Sequence, residues 1–130
     1  MSDPIERIRA ICLALPEAAE KSFGGHRAPA FRVRDKIFTS TSEDQTYMTL
    51  KAPRGVQEIL VNADPMRFFV PPYVGTKGWV GIRLDLKVQP DWDEITEMIY
   101  ESYAMTAPKR LVARDEANRA SPPSARDQSA

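Results

Sequence analysis

The residues of this chain best suited to chemistry are basic and aromatic side chains, which lie between prolines and glycines in its central part. Guanidinium and ammonium groups neutralise phosphates, and aromatic rings offer flat surfaces on which bases stack. Prolines and glycines fix the backbone around such groups and build rigid, exposed loops. The sequence therefore predicts nucleic-acid contacts by one set of residues: Arg32, Arg34, Lys51, Tyr73, Lys77, Trp79 and Arg83.

The charge of the chain is unevenly distributed, although 18 basic and 18 acidic residues balance over its 130 residues. Between Lys21 and Lys87 there are eleven basic and six acidic residues, a local net charge of +5. The segment from Asp91 to Glu101 holds five acids and no base. This separation favours one surface that attracts phosphate. The alternative is that these charges only keep separate faces solvated.

Catalytic and metal-binding patterns are weak in this sequence. His26 is the only histidine and Cys12 the only cysteine, so a metal centre of the usual ligands is not expected. Cys12 recurs with Ile8 and Leu15 at helical spacing, which predicts a small buried hydrophobe. The glycine pairs lack the spacing of phosphate-binding loops. We therefore expect no enzymatic activity and no cofactor; a pocket joining His26 to a carboxylate would favour the enzyme alternative.

The sequence predicts neither a secretory signal nor a membrane span. No run approaches the ~18 apolar residues of a membrane span, and Arg7 and Arg9 interrupt the apolar residues near the start. The expected location is the cytoplasm, without a membrane partner.

The elements that must position the candidate residues form an α+β domain with a mainly antiparallel sheet and three helices. Asp3 and Pro4 are the N-cap and first-turn signals of an N-terminal helix that ends at Pro16. The order continues with strands over Ala30–Arg34, Ile37–Thr41 and Thr46–Lys51, a short helix opened by Pro53, strands over Met66–Val70 and Trp79–Leu84, and a helix capped by Asp91 that runs to Thr106. The domain is predicted to span residues 1–108, with a tail over 109–130 that is partly helical and then disordered.

Alternation of apolar and polar residues predicts which face of the sheet each side chain occupies. Arg32 and Arg34 are predicted to share an outward strand face next to a tight turn at Asp35-Lys36. The inward residues are Phe31, Val33, Met48, Leu50, Val80, Ile82 and Leu84, and the outward ones are Tyr47, Thr49, Lys51, Trp79, Gly81 and Arg83. For Trp79, packing against the last helix is an alternative. The short helix is expected to use Val56, Ile59 and Leu60 as its apolar stripe.

An ordered series of short motifs resembles the MmcQ/YjbR-like family. The motifs are Ile11–Glu17, Phe23-Gly24, Ala30–Val33, Lys36–Phe38, Leu50-Lys51, Gly78–Asp85, Ser102-Tyr103 and Pro108–Leu111. The resemblance implies a small bacterial α+β domain of the double-wing DNA-binding type, with no established catalytic residues. Gly78 stands where many members carry a histidine, so no histidine-dependent role transfers to that position.

Two functions follow as expectations. The first is a nonenzymatic DNA-binding domain that uses a basic sheet face and a wing loop. The second is a small-ligand or protein-binding module with an apolar groove around Phe68–Tyr73, in which Arg83 or Arg67 holds an anionic group.

Overall fold

The computed structural model of the chain describes residues 3–22 and 28–120, so the predictions for Gly24, Gly25 and His26 and for the tail from Ser121 onward lie outside the described residues. The helices are α1 (Pro4–Leu13), α2 (Val56–Ala63), α3 (Trp92–Thr106) and α4 (Lys109–Ala120). The strands are β1 (Ala18–Glu20), β2 (Ala30–Val33), β3 (Lys36–Thr41), β4 (Tyr47–Leu50), β5 (Phe68–Phe69) and β6 (Val80–Arg83). Two short 3₁₀ turns, Val74–Lys77 and Leu86–Val88, flank β6.

The strands form one sheet in the order β1-β2-β3-β4-β6-β5, and all neighbouring strands are antiparallel. Strands β2, β3 and β4 are adjacent, as short turns require, and β6 lies between β4 and β5. This arrangement confirms the predicted α+β fold with a mainly antiparallel sheet. The described residues contain four helices rather than three, because the chain forms α4 after Pro108.

The hydrophobic core lies between one face of the sheet and helices α1 and α3. The Asp3 side chain caps α1 by accepting a hydrogen bond from the Ile5 N–H at 2.8 Å. Asp91 caps α3 by accepting one from the Glu94 N–H at 3.2 Å. All seven strand residues predicted to point inward are at most 2 % exposed and belong to this core. Since side chains alternate along a strand, the opposite face carries the outward residues.

Ser102 of α3 bonds to the backbone of the sheet at Phe38 and Lys51. Its buried Oγ donates a hydrogen bond to the Phe38 carbonyl at 2.5 Å and accepts one from the Lys51 N–H at 2.9 Å. The backbone of Lys51 is therefore held although β4 ends one residue earlier.

Helix α2 differs from its prediction in start and in packing. It begins at Val56, after Gly55 in the left-handed conformation, rather than at Pro53. Ile59, predicted to lie in the apolar stripe, is 67 % exposed. The helix contacts β5, a two-residue strand at the edge of the sheet, which is too short to cover that side of α2. The prediction of burial at Ile59 is therefore wrong.

The turn between β2 and β3 also differs from its prediction. Val33 pairs with Lys36, so Arg34 and Asp35 are the two central residues of the hairpin turn. Both have positive φ angles, 52° and 65°, as a two-residue turn that follows the twist of the strands demands. Arg34 therefore leaves the strand, and the expectation that it shares a strand face with Arg32 is wrong.

Two further elements complete the described fold. Strand β1, which was not predicted because its three residues show no clear alternation, pairs with β2 at the edge of the sheet. Helix α4 packs on α3 and buries Leu111, which is 1 % exposed, in the core. The Tyr103 hydroxyl donates to the Pro16 carbonyl at 2.8 Å and so links α3 to the end of the α1 segment.

Candidate nucleic-acid interface

The face of the sheet opposite α1 and α3 lines a groove that is open to solvent. We call this face of the sheet the open face. On it, Ala30 of β2 pairs with Ser40 of β3, and Ser40 pairs with Thr49 of β4. The groove has a volume of about 1010 Å³. Its floor is well packed, since Thr49 is 7 % and Trp79 is 9 % exposed.

The loop of residues 70–79 between β5 and β6, called here the Pro-Gly loop, forms one side of the groove. Pro71, Pro72, Tyr73, Val74 and Lys77 line the groove together with residues of β2, β3 and β4. Because those strands are separated from β5 by β6 in the sheet, the loop must fold over the open face to reach them. The groove therefore joins the predicted sheet face and the predicted wing loop.

Cationic side chains outnumber acidic ones in the groove. Four cations line it, Arg32, Lys36, Lys51 and Lys77, against the single carboxylate of Glu43. Within residues 3–22 and 28–120, no carboxylate forms an ion pair with Lys36, Lys51 or Lys77. Three ammonium groups are thus left to attract an anion.

Arg32 is a largely buried cation of the groove. Its side chain is 16 % exposed, with Nη1 lying 3.6 Å from the Asp35 carboxylate and donating to the Asp35 carbonyl at 3.3 Å. Its buried Nε has no hydrogen-bond partner among the described residues. A buried donor without a partner is uncommon, and here it belongs to a guanidinium that lines the groove.

Arg34 and Arg83, the two other predicted arginines, do not line the groove. The Arg34 guanidinium donates to both carboxylate oxygens of Glu17, at 2.8 and 3.5 Å, and this hydrogen bonding holds the pKa of Glu17 below its usual value. Arg83 is exposed on the open face, where its Cζ lies 4.6 Å from the centre of the Phe69 ring. Arg34 is thus neutralised, whereas Arg83 is on the predicted face but outside the groove.

The two predicted aromatic residues both line the groove, in different ways. Trp79 packs on the groove side of the sheet and is not part of the core cluster of described residues, so it does not seal the core against α3. Tyr73 is at the rim, with 93 % of its surface exposed. Tyr47, which was predicted to point outward but was not assigned to the site, also lines the groove.

Gln57 of α2 holds the Pro-Gly loop in place. Its Nε2 donates to the Gly75 carbonyl at 2.8 Å and to the Trp79 carbonyl at 2.6 Å. Gly75 itself packs tightly, since a Cβ added there would lie 2.5 Å from Cγ1 of Val70. The sequence offered no signal for the Gln57 contacts, because they join residues that are 18 and 22 positions apart.

Other reactive groups lie away from the groove. Burial raises the pKa of the Cys12 thiol well above its usual value, so the thiol stays protonated. In the described part of the chain, no three His, Cys, Asp or Glu side chains converge as metal ligands. None of the helices described has the length and apolar content of a membrane span.

Comparison with known proteins identifies the family. A family model described as YjbR matches residues 13–105. The chain belongs to the YjbR family. Among solved structures, protein DR2400 of Deinococcus radiodurans, with a domain named DUF419, is similar to this YjbR chain with a TM-score of 0.69 and 21 % sequence identity. The match covers 78 % of this chain and 76 % of that one, and it shows a shared fold. No curated protein matched the sequence.

Proposed function

We propose that this YjbR-family chain is a nonenzymatic DNA-binding domain that holds DNA in the groove of the open face. The observation that carries the proposal is the meeting of Lys51, Lys77 and Arg32 with Tyr73 and Trp79 around one groove. Cations neutralise phosphates and rings contact bases, so the groove offers both kinds of contact that DNA requires.

The distribution of charge supports this proposal despite the net charge of zero. The acidic segment Asp91–Glu101 belongs to α3, which packs on the other side of the sheet from the groove. DNA that approaches the open face therefore meets cations first, and the acidic helix repels it from the opposite side. We expect modest affinity that falls steeply with salt.

The test is fluorescence anisotropy of a labelled DNA oligonucleotide at two salt concentrations. If about three or four cations each neutralise one phosphate, log Kd should rise with log salt with a slope of about 3. Between ~50 and ~200 mM salt, affinity would then fall about 60-fold. Reversing two groove charges, in Lys51→Glu/Lys77→Glu, should abolish binding at the higher salt concentration.

A matched control separates the groove from overall charge. The variant Lys87→Glu/Lys109→Glu changes the net charge equally, but neither residue lines the groove. It should bind DNA much more tightly than Lys51→Glu/Lys77→Glu. Equal losses in the two variants, or no binding by the unaltered protein at low salt, would contradict the proposal.

A second candidate is a small-ligand-binding module that uses the same groove. The groove volume of about 1010 Å³ and the apolar Pro71 and Pro72 at its side favour this candidate. Its residues differ from those expected, because Phe68 is buried in the core and Arg67 pairs with Asp64 and donates to the Val88 carbonyl. Binding of the apolar anion anilinonaphthalene sulfonate, with no DNA binding at any salt concentration, would favour it over the first.

A further inference from the structure

Tyr73 occupies a strained backbone position that holds its ring in solvent. Its φ and ψ angles are 65° and −61°, and the Val74 N–H donates to the Pro72 carbonyl at 2.7 Å, which closes a γ-turn with positive φ. Such turns are rare and strained for a residue with a side chain, and strain of this kind concentrates at functional sites. No ring or cation among the described residues packs on the exposed Tyr73 ring.

The open face carries a second group of flat surfaces beside the groove. The Phe69 ring lies over Gly81, where an added Cβ would come within 2.5 Å of its Cζ. Arg83 stacks on that ring, and Tyr47 meets it edge to face with ring centres 5.1 Å apart. Tyr47 also lines the groove, so aromatic side chains lie along the groove as well as at its rim.

We propose that the DNA bound in this groove is single-stranded, with an unpaired base stacked on Tyr73 and phosphates held by Lys51 and Lys77. This inference rests on the proposed DNA-binding function. Unpaired bases expose their flat faces, whereas in a duplex those faces are covered by neighbouring base pairs. An exposed ring on a fixed backbone, lining the same groove as free ammonium groups, therefore suits an unpaired strand.

The shape of the groove points the same way. A duplex is a wide, stiff cylinder that would contact only the rim, where Tyr73 and Lys77 lie. A single strand is thin enough to enter and reach the floor at Thr49 and Trp79. A groove of about 1010 Å³ holds on the order of two or three nucleotides, each comparable in size to a small drug-like ligand.

The experiment compares an oligothymidine of about 12 nucleotides with a duplex of the same length by fluorescence anisotropy, using the unaltered protein, Tyr73→Ala and Tyr73→Phe. The unaltered protein should bind the single strand about tenfold more tightly than the duplex. Tyr73→Ala should reduce single-strand affinity about tenfold, while Tyr73→Phe, which keeps the ring, should retain most of it. Because Tyr73 is 93 % exposed, removal of its ring should leave the fold intact, and circular dichroism checks this.

The outcomes separate this inference from the function on which it rests. Tighter binding of the single strand that depends on the Tyr73 ring supports it. Equal or tighter binding of the duplex overturns the single-strand inference. If that duplex binding still depends on Lys51 and Lys77, the proposed DNA-binding function stands. A Tyr73→Ala variant with unchanged single-strand affinity also overturns it. Failure to bind either probe at low salt overturns both.

Discussion

Replacement of Gln57 by leucine tests whether the Pro-Gly loop owes its position to α2. The change removes two hydrogen bonds, from Nε2 to the carbonyls of Gly75 and Trp79, and replaces the polar amide with a slightly shorter apolar side chain. Each such bond contributes about 1 kcal/mol net, so the free energy of unfolding should fall by about 2 kcal/mol. The strained turn at Tyr73 persists only while its surroundings hold it, so the loop should also lose its order.

The assay combines urea denaturation with amide hydrogen exchange of the loop. The N–H groups of Gly75 and Gly78 are bonded within the loop, at 3.0 Å each, and they should exchange faster in Gln57→Leu. Gln57→Glu is the matched control, because it keeps the shape but places a carboxylate instead of a donor against two carbonyls. It should destabilise the protein at least as much as leucine does. Unchanged unfolding and unchanged loop exchange in both variants would refute the reasoning.

Three further substitutions test other parts of the account. Gly81→Ala should destabilise the fold by about 1–3 kcal/mol, because the added Cβ collides with the Phe69 ring. In a double-mutant cycle followed by denaturation, Gly81→Ala should cost less stability when Phe69→Leu is also present. An equal loss of stability in the two backgrounds would refute this cause. Burial is the main reason that the pKa of Tyr103 is raised to about 12 from its usual 10.0, so the folded state binds the phenol proton more tightly than the unfolded state. The protonated phenol therefore contributes its full stability below pH 10.0 and loses that contribution as pH rises through about 12. Tyr103→Phe should flatten this part of the stability–pH curve, and an unchanged slope would contradict the assignment. Arg34→Ala should raise the pKa of Glu17 toward its usual value, which an NMR titration of Glu17 would measure. The same variant should leave DNA affinity unchanged. Weaker DNA binding would show that Arg34 belongs to the interface.

The faces of the strands could be predicted from the sequence because side chains alternate with a strict period of two. Met48 and Leu50 are buried and Tyr47 and Thr49 line the groove, as alternation requires. The same rule failed at Arg34, since it holds only while the chain stays in a strand. The turn needed positive φ at Arg34 and Asp35, and neither residue is a glycine that would have signalled it.

The groove as a whole could not be predicted, because its parts meet through contacts between distant residues. Lys36, one of the eleven basic residues between Lys21 and Lys87, begins β3, but nothing in the local sequence shows that it faces the same groove as Lys77. The fold of the Pro-Gly loop over the open face depends on Gln57 and on tight packing at Gly75, which no spacing rule predicts. The resemblance to the family did predict the α+β fold, which the structure confirms.

The central claim, that the open face is the DNA-binding surface, is tested most directly by NMR titration of the ¹⁵N-labelled protein with an oligothymidine of about 12 nucleotides. We expect the largest amide shift changes at Thr49, Lys51 and Lys77 and in the Pro-Gly loop, with those of α3 unchanged. Shift changes confined to α3 and α4, or spread evenly over the surface, would contradict the account.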